Sequence, residues 1–310
     1  MKVNIAILNY NGINLLKECL PSIIAARRVS KQECAVTVLD NQSTDASVNF
    51  LKDNFSEIGI YIAKENKVLC SFNEFASKSD ADILILLNND IKVDEHFVDP
   101  LADIFQKHSD AFLVGPKCLM FDNKTYDGSR SLWWIDKGIF KASSRYKGFE
   151  KDIDIEGYTM QSGFGAFDRK KFLELGGYDD LYLPGIMEDA DLCYRAWKAG
   201  HKSYYQPKSL VFHMGQASFK KEFGSRKIME LAHRNTFLFM WKNIRDVRVW
   251  ASHFFWLPLR IFYSVLTNKR EFVTGFMKAL PKFKQAFQKG NISTKYLLND
   301  QELFKISKNI

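Results

Sequence analysis

Two acidic centres in this sequence have the residue types and setting for chemistry. The first is Asp90, which follows the apolar run Ile83-Leu84-Ile85-Leu86-Leu87 and the amides Asn88 and Asn89. Such a run reads as a strand buried on both faces, the pattern of a parallel sheet covered by helices. Ligands of open α/β sheets sit beyond the carboxyl ends of the strands. A carboxylate there is placed to hold a hard cation against phosphate oxygens. The competing reading is a solvated Asn-Asp turn that merely ends a strand. The second centre is Glu188-Asp189-Ala190-Asp191. Leu192, Ala196 and Ala199 share a helix face, which puts Glu188 and Asp189 in the first turn, where the dipole favours ionised carboxylates. A carboxylate kept charged in a cleft can take a proton from an attacking hydroxyl. The alternative is an acidic first turn that only stabilises its helix.

The elements that must position these groups alternate in type. Apolar runs predict strands at Val3–Leu8, Ala35–Leu39, Ile58–Ile62, Ile83–Leu87 and Ala111–Val114. Between them, Leu15, Leu16, Leu20, Ile23 and Ile24 recur at helical spacing, as do Val48, Leu51 and Phe55 after a helix start at Ser43-Thr44-Asp45. Val68–Lys78 and the stretch holding Phe97, Leu101, Ile104 and Phe105 read as further helices. This is a βαβ alternation with right-handed crossovers, hence the α/β class. Three strands end in polar residues suited to a nucleotide: Asn9, Asp40 and Asp90. Tyr10 has a ring to stack on a base, and Asp40 an oxygen to accept from a ring N–H. Neither Gly-x-Gly-x-x-Gly nor Gly-x-x-x-x-Gly-Lys-Ser/Thr is present, which argues against dinucleotide-binding and P-loop enzymes.

From Lys117 to Tyr158 the periodicity breaks down into aromatics, glycines and charges, the composition of a functional loop. Trp133 and Trp134 are candidates for a sugar-binding platform, with burial in a satellite core as the alternative. Gln161-Ser162-Gly163 offers a small residue that lets backbone approach a ligand. Ser203–Gln206 and Leu210–Phe212 read as short strands, the second ending at His213. The five cysteines are scattered, odd in number and without Cys-x-x-Cys spacing, which fits reduced thiols and gives no zinc signature. Met1-Lys2-Val3 leads straight into a strand with no leader-like run, so the expected setting is cytoplasmic.

Taken together, Asn9-Tyr10-Asn11-Gly12, Asp40-Asn41-Gln42-Ser43-Thr44-Asp45, Glu65-Asn66, Asn88-Asn89-Asp90, Gly176-Gly177-Tyr178-Asp179, Glu188-Asp189-Ala190-Asp191-Leu192 with Arg195, and His213 resemble the family 2 glycosyltransferases. These are inverting enzymes with the GT-A fold, a Rossmann-like, mostly parallel sheet flanked by helices. The similarity is greatest to the bacterial branch that includes rhamnosyltransferases. It implies that Asp40 recognises the nucleobase and that Asn9, Tyr10, Asn11, Asn66 and Asn89 line the nucleotide pocket. It also implies that Asp90 and His213 bind Mg²⁺ or Mn²⁺, that Asp189 is the catalytic base and that Glu188 helps place the acceptor. Trp133, Trp134, Gly163 and Asp191 would form the acceptor side. The partners implied are a nucleotide-sugar donor, UDP- or dTDP-linked, and a glycan or lipid-linked saccharide acceptor. Asn88 stands where the family's Asp-x-Asp motif begins, and Lys67-Val68-Leu69 follows Asn66 where relatives continue with x-Gly-Phe.

The charge of the chain, +8 in all, is unevenly spread: residues 1–200 hold 24 basic against 30 acidic residues, and residues 201–310 hold 20 against 6. The expected organisation is a catalytic domain over 1–218 and a basic, aromatic helical extension over 219–310. Val249–Leu266 is its most apolar stretch, but His253, Pro258 and Arg260 interrupt it, which suits a helix in a membrane interface better than one that spans. The extension either docks on an anionic membrane surface or packs on the catalytic domain. No recognition motif accompanies the charge, so nucleic acid is not the expected partner. The rival from another class is a non-catalytic GT-A relative that binds nucleotide or carbohydrate as an assembly partner.

Overall fold

A computed structural model describes residues 1–215, 217–290 and 296–310. The strands are β1 (Lys2–Asn9), β2 (Glu33–Asp40), β3 (Gly59–Ile62), β4 (Ile83–Asn88), β5 (Ile91–Val93), β6 (Ala111–Met120), β7 (Tyr126–Gly128), β8 (Leu132–Asp136), β9 (Ile139–Ser143), β10 (Gly157–Tyr158), β11 (Gly165–Asp168) and β12 (Lys202–His213). The helices are α1 (Ile13–Val29), α2 (Ser47–Asn54), α3 (Ser71–Lys78), α4 (Val98–Lys107), α5 (Arg169–Glu174), α6 (Glu188–Lys198), α7 (Ala217–Asn243), α8 (Val247–Leu266), α9 (Arg270–Ala279), α10 (Phe283–Lys289) and α11 (Asp300–Asn309).

The main sheet runs β10-β12-β6-β11-β4-β1-β2-β3, with β5 on β12 and β7 on β6, while β8 and β9 form a separate hairpin. Parallel pairing of β1 with β2 sets Asn9 opposite Asp40, and pairing with β4 sets Leu8 opposite Asn88. The three polar strand ends are therefore side by side because the apolar runs before them are in register. Successive residues of β1 and β4 enter opposite layers, as a strand's two-residue period requires. Ile5, Ile7, Ile85 and Leu87 pack with Leu20, Ile23, Leu101 and Ile104 of α1 and α4. Ala6, Leu84 and Leu86 face Phe72, Phe75, Phe167 and Phe172.

Several boundaries differ from the sequence reading. Ser43 and Asp45 are engaged with the strand-end loops, so α2 starts only at Ser47. A single 3-10 turn over Val68–Cys70 precedes α3. The strand read as Ala111–Val114 runs on through Gly115-Pro116 to Met120. The two short strands read in 203–212 are one strand, β12, with a register shift between Gln206 and Leu210. Pro207 stands in that gap and lacks the N–H a continuous ladder would use. The segment 117–158, left without periodicity, holds four strands, short or twisted enough to leave little pattern.

The sequence division at 218/219 falls inside α7, and the core does not stop there. Phe237, Leu238, Phe239 and Trp241 of α7 and Leu303 of α11 belong to the same buried cluster as Tyr182, Leu192 and Tyr194. An ionic cluster ties the same elements. Asp191 is fully buried, and its carboxylate accepts from Tyr182 Oη, Asn243 Nδ2, Arg195 Nε and Lys242 Nζ, each within 2.8–2.9 Å. Lys242 also donates to Asp179 at 2.7 Å. Burial alone would raise the Asp191 pKa; the charges of Lys242 and Arg195 outweigh it and lower it below the ordinary carboxylate range. Removing one member of such a cluster leaves uncompensated buried charge. Asp191→Ala is accordingly expected to cost about 3–5 kcal/mol of stability by denaturant titration. Because the folded-state pKa is depressed, the Asp191 contribution is complete above the unfolded pKa of about 3.9 and is lost as pH falls below it. Thermal melts from pH 6 to pH 2.5 should show a shallower acid loss in the variant than in the wild type.

Candidate active site

The carboxyl ends of β1, β2 and β4 are tied by amides. Asn9 is buried and its Nδ2 donates to Asp40 Oδ2 at 3.0 Å, while Asn89 Nδ2 donates to Asn9 Oδ1 at 2.8 Å. Asp40 Oδ1 accepts from the Ser43 N–H at 2.8 Å, so this buried carboxylate braces the strand ends from behind. Asn11 accepts from the backbone N–H groups of Thr44 and Asp45, joining the β1–α1 and β2–α2 loops. A side chain at Gly12 would lie 2.1 Å from Asn89 Nδ2, so only glycine permits this closure. Tyr10 stands at the rim with its ring exposed. Asn66 is exposed and its Oδ1 accepts from the Val68 N–H.

Asp90 lies just beyond, in the turn between β4 and β5. The antiparallel pairing of β5 with β12 places His213 opposite Ile91, and His213 Nε2 comes within 3.4 Å of Asp90 Oδ2. Asp127, on the irregular β6–β7 pairing, holds His213 Nδ1 at 2.7 Å. Burial opposes charge on the imidazole, but hydrogen bonds to Asp127 and Asp90 prevail and raise its pKa to about 9.

The donor set fits a divalent cation. Among the described residues, Asp90 Oδ1 is buried without a hydrogen-bond partner, an acceptor waiting for one. A carboxylate on the far nitrogen of a histidine fixes the ring so that the near one faces a metal. Cys118, Asp127 and His213 also cluster within 4.8 Å. Burial raises the Cys118 thiol far above its ordinary pKa, and a protonated sulfur is a poor ligand for Mg²⁺ or Mn²⁺. Asp90 and His213 are the fitting pair, a cation at Nε2 taking the place of the proton that the ring otherwise holds between Asp90 and Asp127.

Glu188 and Asp189 open α6, as expected. Asp189 Oδ2 accepts from Gln161 Nε2 at 3.2 Å, and Gln161 Oε1 accepts from the Trp133 indole N–H at 2.6 Å. Glu188 is buried, and its Oε2 has no partner among the described residues. Burial, then the charge of Asp189, raises the Glu188 pKa to about 8. Burial raises Asp189 too, offset in part by the backbone amides at the helix start and by Gln161. Burial thus raises both carboxylates of this adjacent pair, an environment suited to proton handling. Adjacent residues connect this centre to the other. A Cβ on Gly163 would lie 3.6 Å from Asp189 Oδ2, and the Phe164 ring stands 6.2 Å from the His213 ring.

Two residues expected on the acceptor side are placed otherwise. Trp133 is 2% exposed and packs on Phe140 and Tyr194; it supports Gln161 instead of stacking on a sugar. Asp191 is enclosed in its ion cluster, where no acceptor reaches it. Helical periodicity turns it inward, while Asp189, two residues earlier, is only half-buried. Trp134 is 40% exposed and lines a groove of ≈ 620 Å³ with Arg248, Phe304 and Lys308.

The sequence reading missed Asp127, Gln161, Arg234 and Asn235. Ile186 and Met187, just before α6, both have left-handed φ (73° and 82°), unfavourable for a β-branched residue. Asn235 Nδ2 lies 2.7–2.8 Å from the carbonyl oxygens of Tyr182, Gly185 and Ile186, and Arg234 donates to Tyr182 and Leu183. Helix α7 thereby holds the loop that presents Glu188 and Asp189. Asn235→Ala should lower kcat at least about tenfold, since a shift of about 1 Å at the base is that damaging. Nucleotide affinity by calorimetry should stay within about twofold, the strand-end loops being untouched. Asp127→Asn should weaken Mn²⁺ binding by about 10–100-fold in a direct metal titration, as loss of a metal-orienting partner does.

Residues 4–175, more than half of the chain, match the family described as Glycosyl transferase family 2. An N-acetylglucosaminyl-diphospho-decaprenol L-rhamnosyltransferase of Mycobacterium tuberculosis is 23% identical over 235 residues, covering 68% of this chain and 76% of its own. A putative polypeptide N-acetylgalactosaminyltransferase 10 of Drosophila melanogaster is 23% identical over 154 residues, 46% of this chain and 23% of its own. Among solved structures, S. aureus TarS 1-349 superimposes with a TM-score of 0.58 at 14% identity, over 93% of this chain and 81% of that one. GalNAc-T7 with UDP, GalNAc and Mn²⁺ gives 0.56 at 16% identity, over 86% of this chain. The chain spans 57% of the GalNAc-T7 structure. On its sequence match and its sheet, this protein belongs to glycosyl transferase family 2 and is a glycosyltransferase of the GT-A fold.

Proposed function

We propose that this glycosyltransferase moves a sugar from a UDP- or dTDP-linked donor, with inversion, to a hydroxyl of a cell-surface or lipid-linked glycan. The observation that carries the reading is the loop 161–164. Its consecutive residues Gly163 and Phe164 adjoin Asp189 and His213, so a proton acceptor and a cation site flank one short stretch of backbone. Inverting displacement needs such a pair: a base behind the acceptor hydroxyl and a positive charge at the departing diphosphate.

Asp189 takes the hydroxyl proton, oriented by Gln161 and Trp133. Glu188, neutral beside it, is a donor that positions the acceptor, with Gly163 leaving it room. Tyr10 offers its exposed ring to the base; Asn9, Asn11, Asp40, Asn66 and Asn89 shape the loops around the nucleotide. Trp134, on the other face of the hairpin from Trp133, is a platform for a more distant sugar of the acceptor. Mg²⁺ or Mn²⁺ on Asp90 and His213 supplies the Lewis-acid charge for the leaving group. Support for UDP and a divalent ion comes from the GalNAc-T7 structure, which carries UDP and Mn²⁺. The mycobacterial relative is named for a lipid-diphosphate acceptor, which favours a lipid-linked substrate and action at the inner face of the cell membrane.

Asp189→Asn is the direct test. Nucleotide binding with Mn²⁺ should remain within about twofold, whereas transfer should fall by at least about 10³, the loss expected when a general base and its charge are removed together. Nuclear magnetic resonance of the product should show the anomeric configuration opposite to that of the donor. Substantial transfer by the variant, or retention of configuration, overturns the assignment.

A further inference from the structure

Helix α8 packs Val249, Trp250 and Leu257 on the core but also leaves a large apolar face uncovered. Its inward side includes His253, whose Nδ1 pairs with the Gly138 carbonyl at 2.8 Å, and Arg260, which donates to the Asp136 carbonyl at 2.9 Å. Ser264 is buried on the same side. Its outward side is Phe254, Phe255, Leu259, Phe262, Tyr263 and Leu266, each 49–68% exposed. These lie at i, i+1, i+5, i+8, i+9 and i+12, one continuous stripe on a helix. Single exposed apolar residues are ordinary, but a contiguous stripe of large ones marks an interaction surface.

The stripe is flanked by cations. Arg248 is exposed near the first turn and Lys269 and Arg270 just past the last, with the Lys269 ammonium over the Tyr263 ring at 5.9 Å. Lys137 reaches over the Trp256 ring at 4.9 Å. A second copy pairing antiparallel along this helix would set Arg248 against Lys269 and Arg270 of its mate, like charge on like. An anionic surface meets both the charge and the apolar stripe. No described helix is long and apolar enough to cross a membrane, so the geometry is that of a helix lying in the interface.

We propose that the outer face of α8 is where this enzyme seats on an anionic lipid bilayer, with Phe254, Phe255, Phe262 and Leu266 entering the headgroup–acyl boundary. The inference rests on the lipid-linked acceptor only for its purpose; the contact itself needs neither donor nor catalysis. Flotation of the full chain, without nucleotide or metal, tests it on phosphatidylglycerol–phosphatidylcholine vesicles against pure phosphatidylcholine. The wild type is expected to partition at least about tenfold more strongly to the anionic vesicles and to lose binding as salt rises. Phe254→Gln, Phe255→Gln and Phe262→Gln combined should reduce partitioning at least about tenfold, with an unchanged Tm because these positions are exposed. Lys269→Glu with Arg270→Glu should instead remove the preference for anionic over neutral vesicles. Failure of the wild type to float, undiminished flotation of the phenylalanine variant, or a retained anionic preference in the charge variant overturns the proposal. So does a concentration-dependent dimer that the phenylalanine substitutions dissolve, since a second copy then covers the stripe. Transfer to a water-soluble acceptor, measured separately, reports on the catalytic reading alone.

Discussion

Burying the charge of Asp191 is the constraint from which much of this molecule follows. A fully enclosed carboxylate is tolerable only if donors surround it. Arg195 comes from the next turn of α6, Tyr182 from the loop before it, and Lys242 and Asn243 from the end of α7. Satisfying one side chain therefore pins the first turn of α6 to a helix some fifty residues away in sequence. Two residues earlier on that turn stands Asp189. The orientation of the proposed base is set by the electrostatics of a residue that never meets substrate.

The same logic explains why the helices beyond residue 215 are part of the catalytic unit. The family match ends at residue 175, before α6 begins. Yet α7 supplies the amide and guanidinium that take up the carbonyls of Tyr182, Leu183, Gly185 and Ile186, beside two successive non-glycine residues, Ile186 and Met187, with positive φ. Such backbone persists only where its surroundings over-determine it. The basic extension thus divides its labour. Helix α7 braces the loop before α6, and the outer face of α8 is left apolar.

The two chemical centres differ in how they are held. The cation side is built from strands: β4 ends at Asn88, β5 pairs with β12, and Asp127 is presented by an irregular pairing on β6. Rigid ladders suit a group that must meet a metal at fixed distance. The base side is a helix start whose support is side chains, Gln161 and Trp133 in series. A pair of adjacent carboxylates both raised by burial is a proton-handling arrangement and not a simple helix cap.

Local pattern was enough for the α/β class, for polar residues at the ends of β1, β2 and β4 with Asp90 just beyond, and for Glu188 and Asp189 in a first helical turn. These follow from apolar runs and their spacing, which are local. Long-range packing is what makes Trp133 interior, Asp191 a buried ion-pair member and Asp127 the partner that orients His213. It also decided that Asn235 braces the loop before the base. Each depends on contacts between residues 28 to 174 positions apart, set by packing and by the need to satisfy buried polar groups. Adjacent tryptophans in one sequence acquire opposite fates because a strand turns neighbouring side chains to opposite faces, and only the fold says which face is covered.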